Sequence, residues 1–530
     1  MSLKQGEVYV WISGAAVTLT LLIAATLIVV VLVNGLGFYW PKDLVTVTLA
    51  DGTRLLGEVL EHEPIPERGA TRSLYKVGNR DLYGADFRWV DDADVRARER
   101  APEAVALERA EFGNFYGFLA ELRLAGLDAP PAADPWQRLE WARREVARRH
   151  EAIAQAQAAL SVVNRRMQSL AGRIQTLRYQ GAADDDALLA ELEAQRASAL
   201  AEFDRQNRPL LEQVATLRAH AVLLRDVAGT EQAVPLLDIV RAWRPNRMGL
   251  WAKAGFYAGK LGELFTGEPR ESNTEGGLFP AIFGTVLLVI IMSLFSVPMG
   301  VVAAIYLHEY AREGWLVRVV RIAMYNLAGV PSIVFGIFGL GFFVYGVGAG
   351  VDALFFAERL PTPTFGTGGI LWASLTLALL TVPVVVVATE EGLSSVPRGM
   401  REASLALGST QLQTLLRVVM PMAAPGVVTG FILAMARAAG EVAPLMITGV
   451  VKLAPTLPID GEFPFVHLDR KFMHLGFHIY DVGFQSPNVE AAKPMVYMTT
   501  LLLVLIVLIL SIVGVYLRNS MRKRFQGAAF

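Results

Sequence analysis

Cysteine is absent from all 530 residues. This absence excludes disulfide bonds, cysteine-based metal sites and cysteine nucleophiles. A net charge is nearly absent too, because 49 basic and 50 acidic side chains leave a formal charge of −1, so nothing indicates a nucleic-acid partner. The sequence also contains no Gly-x-x-x-x-Gly-Lys-Ser/Thr loop, the motif that cradles nucleotide phosphates. We therefore expect no ATP-hydrolysing site of that type in these residues.

Charged residues are scarce, at 19%, while apolar residues reach 53%. This composition is typical of a membrane protein with a substantial water-facing part. A helix needs about 20 apolar residues to cross a bilayer core. Six runs qualify, at residues 10–34, 279–306, 322–346, 368–389, 423–450 and 495–517. The first run is too long for a cleaved signal peptide and ends without a small-residue cleavage site, so we predict a first transmembrane helix within 1–35.

The positions of Lys and Arg predict the orientation of these spans. Basic residues lie between the second and third runs, between the fourth and fifth, and after the sixth. Cytoplasmic loops carry an excess of such residues, so we expect these segments and both termini in the cytoplasm, including a tail at 521–530. Residues 36–278 are then periplasmic. The prediction is a multi-pass protein of the bacterial inner membrane, surrounded by membrane lipid.

The long polar segment after the first run begins with strand patterns. Apolar residues alternate with Thr at 45–49, and an Asp51-Gly52 pair before the next run is a hairpin signal. Strands are predicted at 45–49, 54–60, 74–77 and 87–90. These patterns favour a β-rich unit over 36–135.

A seven-residue period follows this β-rich unit. Apolar side chains recur at Leu139, Val146, Ile153, Leu160, Met167 and Ile174. This period predicts a coiled-coil helix. A polar break at 181–186 and a second stripe that includes Leu217 and Leu224 predict an antiparallel helical hairpin over 136–226, with Pro209 as a kink.

The return segment, 227–278, carries two further predictions. Residues 234–240 are expected to form a strand that returns to the first β unit. A helix at 249–265 is either interfacial and amphipathic or packed on the outer domain. The predicted fold is therefore mainly α, a polytopic membrane bundle of six spans with an inserted β unit and a long helical hairpin.

The loop between the fourth and fifth spans carries the most specific pattern. It reads Arg401, Glu402, Ala403 and then, after four residues, Gly408, with Pro421 before the next span. Small Ala403 permits close approach of a partner, Gly408 permits a sharp turn out of a helix, and Pro421 suits a first helical turn. The loop, 391–421, resembles the EAA loop of ABC importer permeases, which docks on an ATPase subunit. The resemblance implies a transport subunit that is not itself an enzyme and binds no cofactor, with ATP and Mg used by a separate ATPase.

Two charges lie within the fifth apolar run. Arg437 and Glu441 are four residues apart, so on one helical face they can pair. A charge at the centre of a membrane helix costs at least ~2.5–3.5 kcal/mol on insertion scales. The pair either braces the helices, or Arg437 faces a translocation path and its guanidinium fork receives a tetrahedral oxyanion, with Glu441 orienting it or replacing the anion.

Other polar groups favour structural interpretations. Glu390 and Glu391 end the fourth span as a solvated helix end or as partners of the coupling loop. His474 and His478 are spaced i,i+4, but no carboxylate pattern supports a metal site. We therefore predict no catalytic and no metal-binding residues.

Four stretches resemble the PstA-type permease of the phosphate ABC importer: 303–310, 327–333, 402–408 and 436–441. The resemblance covers 275–520 and implies an ABC permease domain over 279–520 that translocates inorganic phosphate. It also implies a heterodimer with a PstC-type permease, a PstB-type ATPase dimer and a PstS-type periplasmic phosphate-binding protein. The family's intramembrane Arg and Glu correspond to Arg437 and Glu441. Sulfate or molybdate remains open as the substrate, since one Arg cannot select between oxyanions, and an envelope structural or sensory protein is the alternative of another class. The insertion of about 240 residues departs from the shorter family members, and its role stays open.

Overall fold

The structure is a computed structural model that describes residues 7–65, 69–127, 134–183, 186–461 and 463–526. Its helices are α1 (Glu7–Phe38), α2 (Arg80–Tyr83), α3 (Pro135–Ala159), α4 (Ser161–Tyr179), α5 (Ala187–Arg218), α6 (Leu250–Thr266), α7 (Phe279–Ile305), α8 (Trp315–Leu327), α9 (Ser332–Phe338), α10 (Ala349–Phe355), α11 (Ile370–Ser394), α12 (Arg398–Ala406), α13 (Gln411–Thr414), α14 (Met420–Gly440), α15 (Ala443–Thr448), α16 (Leu475–Phe484) and α17 (Val489–Gln526). Its strands are β1 (Leu44–Leu49), β2 (Arg54–Ile65), β3 (Ala70–Lys76), β4 (Phe87–Asp91), β5 (Val95–Arg100), β6 (Val105–Arg109), β7 (Asn114–Arg123), β8 (Ala221–Arg225), β9 (Glu231–Pro235), β10 (Ile239–Trp243), β11 (Pro269–Arg270) and β12 (Glu275–Gly276).

The chain divides into two compact units. The inserted unit comprises Tyr39–Glu263 and Pro269–Gly276, and the helical unit comprises the rest of the chain. Each unit buries apolar clusters of its own, as expected of segments that could fold as separate domains.

Two five-stranded sheets form the β part of the inserted unit, in the orders β4-β3-β2-β1-β5 and β10-β6-β7-β8-β9. The predicted β1–β2 hairpin is present, and Gly52 turns it at a φ of 86°. The chain returns to the β-rich unit of 36–135 as predicted, because β10 pairs with β6. The predicted strand at 234–240 is interrupted, however, since β9 ends at Pro235, Leu236–Asp238 form a 3₁₀ turn and β10 begins at Ile239. The second sheet escaped prediction because β6 is buried at every position and therefore shows no alternation.

The helical hairpin is inserted between β7 and β8, which pair antiparallel. α3 and α4 meet at Leu160, and α5 packs back on α4 through a small core of Leu170, Ile174, Leu189 and Leu192. Asp186 starts α5 by accepting the Leu188 N–H at 2.8 Å, while Asp184 and Asp185 of the predicted break lie outside the described residues.

Two expectations for the hairpin need correction. Its predicted end at 226 is wrong, because α5 ends at Arg218 and Leu224 belongs to β8, where it is fully buried. Leu224 continues the helical spacing, but leucine occurs in helices and in strands alike. Its pairing with β7 makes this segment a strand. Pro209 lies inside α5 without ending it.

Helix α6 follows the second sheet. Phe256 packs on Trp243 with ring centroids 4.8 Å apart, and Lys253 Nζ lies 2.7 Å from an Asp43 carboxylate oxygen. One face of α6 is therefore packed on the inserted unit, as the second of the two alternatives expected. Leu250 and Trp251, at the start of α6, remain exposed.

Among the described residues, six helices of the helical unit are long and apolar enough to cross a membrane. They are Tyr9–Phe38, Phe279–Tyr310, Ser332–Phe355, Ile370–Ser394, Gln411–Gly440 and Val489–Lys523. α11 is the most buried of them and lies between α7 and α14. A Cβ built on Gly426 would lie 2.5 Å from the Gly392 Cα, so glycine on both helices permits the close contact of α14 with α11.

The predicted boundaries of three spans need correction. The third span begins at Ser332 and not at 322, because α8 is a separate amphipathic helix without a buried residue. A continuous helix would place the Pro331 ring against the Leu327 carbonyl, four residues earlier. The fifth span ends at Gly440 and not at 450, and the sixth extends from Val489 to Lys523. Lys4, near the N-terminus, and residues 527–530 of the predicted tail lie outside the described residues.

Candidate functional site

The predicted coupling loop folds as a short helix, a turn and a second short helix. Pro397 is the extended residue before α12. Gly408, just after α12, has a φ of 86°. This conformation is sterically unfavourable for residues with a Cβ but not for glycine. Thr410 then caps α13 through a reciprocal pair of bonds with Gln413. The sequence thus specifies both ends of α12 locally.

Helix α12 has an exposed face and an inward face. Glu402, Ala403 and the largely exposed Leu407 (89%) face away from the rest of the helical unit. Ser404 is the one buried residue of α12, and its hydroxyl lies 2.9 Å from that of Thr414. The exposed face combines an acidic, a small and an apolar side chain.

Arg401 points inward, toward the ends of two spans. Its Nη1 lies 2.9 Å from Oε1 of Glu309, and its Nη2 donates to the Leu393 carbonyl at 2.8 Å. Glu390 fits neither of its two expected roles, the solvated helix end or the partner of the coupling loop. Its side chain is 13% exposed and lies 3.7 Å from Arg321 of α8. Glu309 is the partner that sequence reasoning missed. A possible signal was an acidic residue at the end of a span on the side that carries the arginines.

Pro421 occupies the first turn of α14, as predicted. The preceding backbone is not a loop, however. Residues Leu415–Val419 form a π-helical turn that continues into α14. Proline has no N–H to donate to the turn before it, and the turn that precedes Pro421 is the wider π-helical one.

Arg437 and Glu441 lie at the C-terminal end of α14. Arg437 is in its last turn, and Glu441 follows the helix with an extended backbone. Nε of Arg437 is 3.5 Å from Oε1 of Glu441, and the two side chains are 33% and 21% exposed. The predicted pairing is therefore present but loose.

Two details of that prediction are wrong. Arg437 is not near the middle of the span, and Glu441 is not on the same helical face, because the helix ends between them. A continuous helix would place the Pro444 ring against the carbonyl of Gly440, four residues earlier, and α15 starts anew at Ala443. The pair thus occupies a break between two helices, where backbone polar groups are freed.

His474 and His478 are buried in the segment between the fifth and sixth spans. Nδ1 of His474 accepts the Gly476 N–H at 3.1 Å, and Nδ1 of His478 lies 3.2 Å from the Thr499 hydroxyl. Burial lowers the pKa of His474 to about 3. These contacts fit the structural interpretation of both rings.

Comparison with known proteins covers the same part of the chain. Residues 296–523 match the family described as binding-protein-dependent transport system inner membrane component. A phosphate transport system permease protein PstA of Yersinia pestis is 34% identical over 252 residues, which are 47% of this chain and 76% of that protein. The chain belongs to this family, in its PstA-type branch. The predicted resemblance is confirmed.

Further relatives agree with this assignment. PstA 1 of Mycobacterium tuberculosis (strain CDC 1551 / Oshkosh) is 36% identical over 39% of this chain and 60% of that protein. A probable PstA of Methanocaldococcus jannaschii is 32% identical over 41% of this chain and 67% of that protein. Among solved structures, an inward-facing MetNI methionine ABC transporter is 18% identical, covering 46% of this chain and 95% of that chain at a TM-score of 0.35. That likeness is too remote to assign a function.

The family match shows which part of this chain is shared with other members of the family. It includes α12 and the Arg437–Glu441 pair, whereas the inserted unit lies before residue 296. With six apolar helices of membrane length in the described part of the chain, the permease is a multi-pass membrane protein and a component of a transport system.

Proposed function

We propose that this chain is the permease subunit of an ATP-driven ABC importer that translocates inorganic phosphate across the bacterial inner membrane. The assignment of phosphate as the substrate rests on the 34% identity with a PstA over three quarters of that protein. The Arg437–Glu441 pair supports it from the structure, because it places a cation at a helix break in the last turn of α14.

The geometry of the pair suits transient binding of an anion. A distance of 3.5 Å is longer than a good hydrogen bond between charged groups, which is about 2.7–2.9 Å. Arg437 is therefore not saturated by Glu441, and its planar fork can receive two oxygens of a tetrahedral oxyanion. We propose that Glu441 orients the guanidinium and takes the place of the anion when the path is empty.

The exposed face of α12 carries the second part of the proposal. Glu402, Ala403 and Leu407 are available to a partner, and Gly408 and Pro421 shape the ends of the loop. We propose that this face docks on a PstB-type ATPase dimer, which uses ATP and Mg, while this chain binds no cofactor. A PstC-type permease would complete the membrane domain, and a PstS-type protein would deliver phosphate. Both termini would then be cytoplasmic and residues 36–278 periplasmic.

Phosphate uptake by the assembled complex tests the proposal. The complex is purified from native membranes, its companions are identified, and uptake of radiolabelled phosphate into proteoliposomes is measured with ATP inside the vesicle on the ATPase side. We expect companions of the three proposed kinds, with uptake that excess unlabelled phosphate suppresses and sulfate or molybdate does not. Stronger suppression by sulfate or molybdate would reassign the substrate. A complex without an ATPase would contradict the importer proposal and favour an envelope structural or sensory role.

A further inference from the structure

A polar network connects the coupling helix to two spans of the permease. α7 continues into a π-helical turn, Tyr306–Tyr310, which the Ala311 N–H closes by donating to the Tyr306 carbonyl at 2.8 Å. This turn places Glu309 beside Arg401 of α12, with 2.9 Å between Oε1 and Nη1. π-helical turns are rare and occur often at functional sites.

Each of the three elements is bonded to the other two. Arg401 joins α12 to α7 through Glu309 and joins α12 to α11 through the Leu393 carbonyl. His308 completes the triangle, since its Nδ1 is 3.0 Å from Glu309 Oε1 and its Nε2 is 3.1 Å from the Ser394 hydroxyl. The network therefore ties the ends of α7 and α11 to each other as well as to α12.

Polar bonds carry most of the attachment of α12. Ser404 is its one buried residue, so α12 has little apolar area with which to hold itself on the bundle. The following segment differs, because Leu415 and Val419 belong to an apolar cluster with Leu393 and Val396 of the fourth span and its end. A displacement of α12 alone would thus act first on Arg401 and on the Ser404–Thr414 bond.

The Arg401–Glu309 pair is partly shielded from solvent and borders a cavity. The side chains of Arg401 and Glu309 are 22% and 20% exposed, so the charge-assisted bonds between them are stronger than those of a surface pair. A cavity of about 150 Å³ lies next to both side chains and is bordered by Leu405 and Thr414. Arg401 and Glu309 therefore border open space and are not packed on all sides.

We propose that Glu309 is a positioning residue, and that its pair with Arg401 is the joint that passes movement of α12 to α7 and α11. The inference rests on the proposed function, since it assumes that an ATPase moves α12. It also reassigns Arg401. The guanidinium holds the coupling helix from inside the permease, and contact with the ATPase is left to Glu402 and the exposed residues around it.

The test measures coupling and not only activity. Complexes carrying Glu309→Gln, Arg401→Gln or Arg401→Lys are reconstituted, and phosphate uptake is divided by ATP hydrolysed. We expect assembly and ATP hydrolysis to persist while this ratio falls about tenfold in both Gln variants, as the loss of a charged hydrogen bond predicts. Arg401→Lys keeps the charge but loses the planar fork whose two nitrogens bond Glu309 and the Leu393 carbonyl, so its ratio lies between those of Arg401→Gln and the wild type. Arg318→Gln is the matched control, because Arg318 is exposed on α8 and no ion pair is found for it among the described residues.

Each outcome decides the inference. An unchanged ratio in Glu309→Gln contradicts the joint, and so does a parallel fall of uptake and hydrolysis at constant ratio, which indicates a docking or stability role. A wild-type complex that takes up sulfate instead of phosphate refutes the proposed substrate only, and the ratio is then measured with sulfate. A wild-type complex that takes up no oxyanion overturns the importer and the joint together.

Discussion

The loose Arg437–Glu441 pair makes the transport role of Arg437 separable from its contribution to stability. Removing one partner of a buried pair costs about 3–5 kcal/mol, whereas exposed pairs contribute about 0–1 kcal/mol. With 3.5 Å between the charged atoms and exposures of 33% and 21%, the pair is nearer the second case. We expect Arg437→Gln to lower the free energy of unfolding by about 1 kcal/mol.

Transport should respond far more strongly than stability. If Arg437 donates two charge-assisted bonds to phosphate, each worth about 1.5–3 kcal/mol, their loss slows translocation by about 10²–10⁴-fold. The double variant Arg437→Gln/Glu441→Gln should stay equally inactive, because the positive charge that meets phosphate is still missing. Arg437→Lys should keep part of the activity, since a point charge remains without the fork.

Radiolabelled phosphate uptake in vesicles, normalised to the assembled complex, measures these effects. Thermal unfolding of the same detergent-solubilised complexes measures stability, and Arg318→Gln on α8 again serves as the control. Full uptake by the double variant would refute the reasoning, because it would show that the pair only braces α14. A large loss of thermal stability in Arg437→Gln would do the same, since a fall in uptake would then reflect misfolding.

Three further outcomes are expected. Glu402→Lys and Gly408→Pro should abolish uptake without lowering the amount of protein in the membrane, as immunoblots and uptake assays of the same vesicles would show. Glu402→Lys reverses a charge exposed on α12, and a proline at position 408 cannot adopt the φ of 86°. The isolated segment 39–276 should fold and give a strong helical circular dichroism signal, since α3 to α5 lie within a unit that has its own cores, and a disordered segment would contradict this. Within that segment, Leu189→Ala should cost about 2–5 kcal/mol in urea unfolding, because Leu189 is buried between α4 and α5, whereas Leu200→Ala, at an exposed position, should cost little.

Much of the fold follows from local properties of the sequence. Apolar runs of membrane length, the Asp51-Gly52 turn and the seven-residue period each predict an element through contacts within a few residues, and the structure contains the six spans, the β1–β2 hairpin and the helical hairpin. The coupling loop was predictable for the same reason. Gly408 permits the turn that ends α12, and the family pattern around it is contiguous.

Other features depended on partners far away in the chain. Leu224 continues the helical stripe of α5 but forms a strand, because β7 offers an antiparallel partner. The second sheet joins strands from both sides of the helical hairpin, and a buried strand such as β6 shows no period that would reveal it. Pro444 is a signal in the sequence for the helix break between Arg437 and Glu441. The distance between the two charged groups, in contrast, depends on the tertiary structure.

The polar network at Arg401 shows the same division within the candidate site. The sequence placed Arg401 on a helix beside Glu402 and Ala403, and local spacing sufficed for that. Its partner Glu309 is 92 residues away, beyond any helical or strand period. The two meet because α7 packs along α11, because a π-helical turn extends α7, and because Ser404 bonds Thr414 of α13, which fixes the inward face of α12. Only that packing decides which side of α12 faces the bundle and which remains free for a partner.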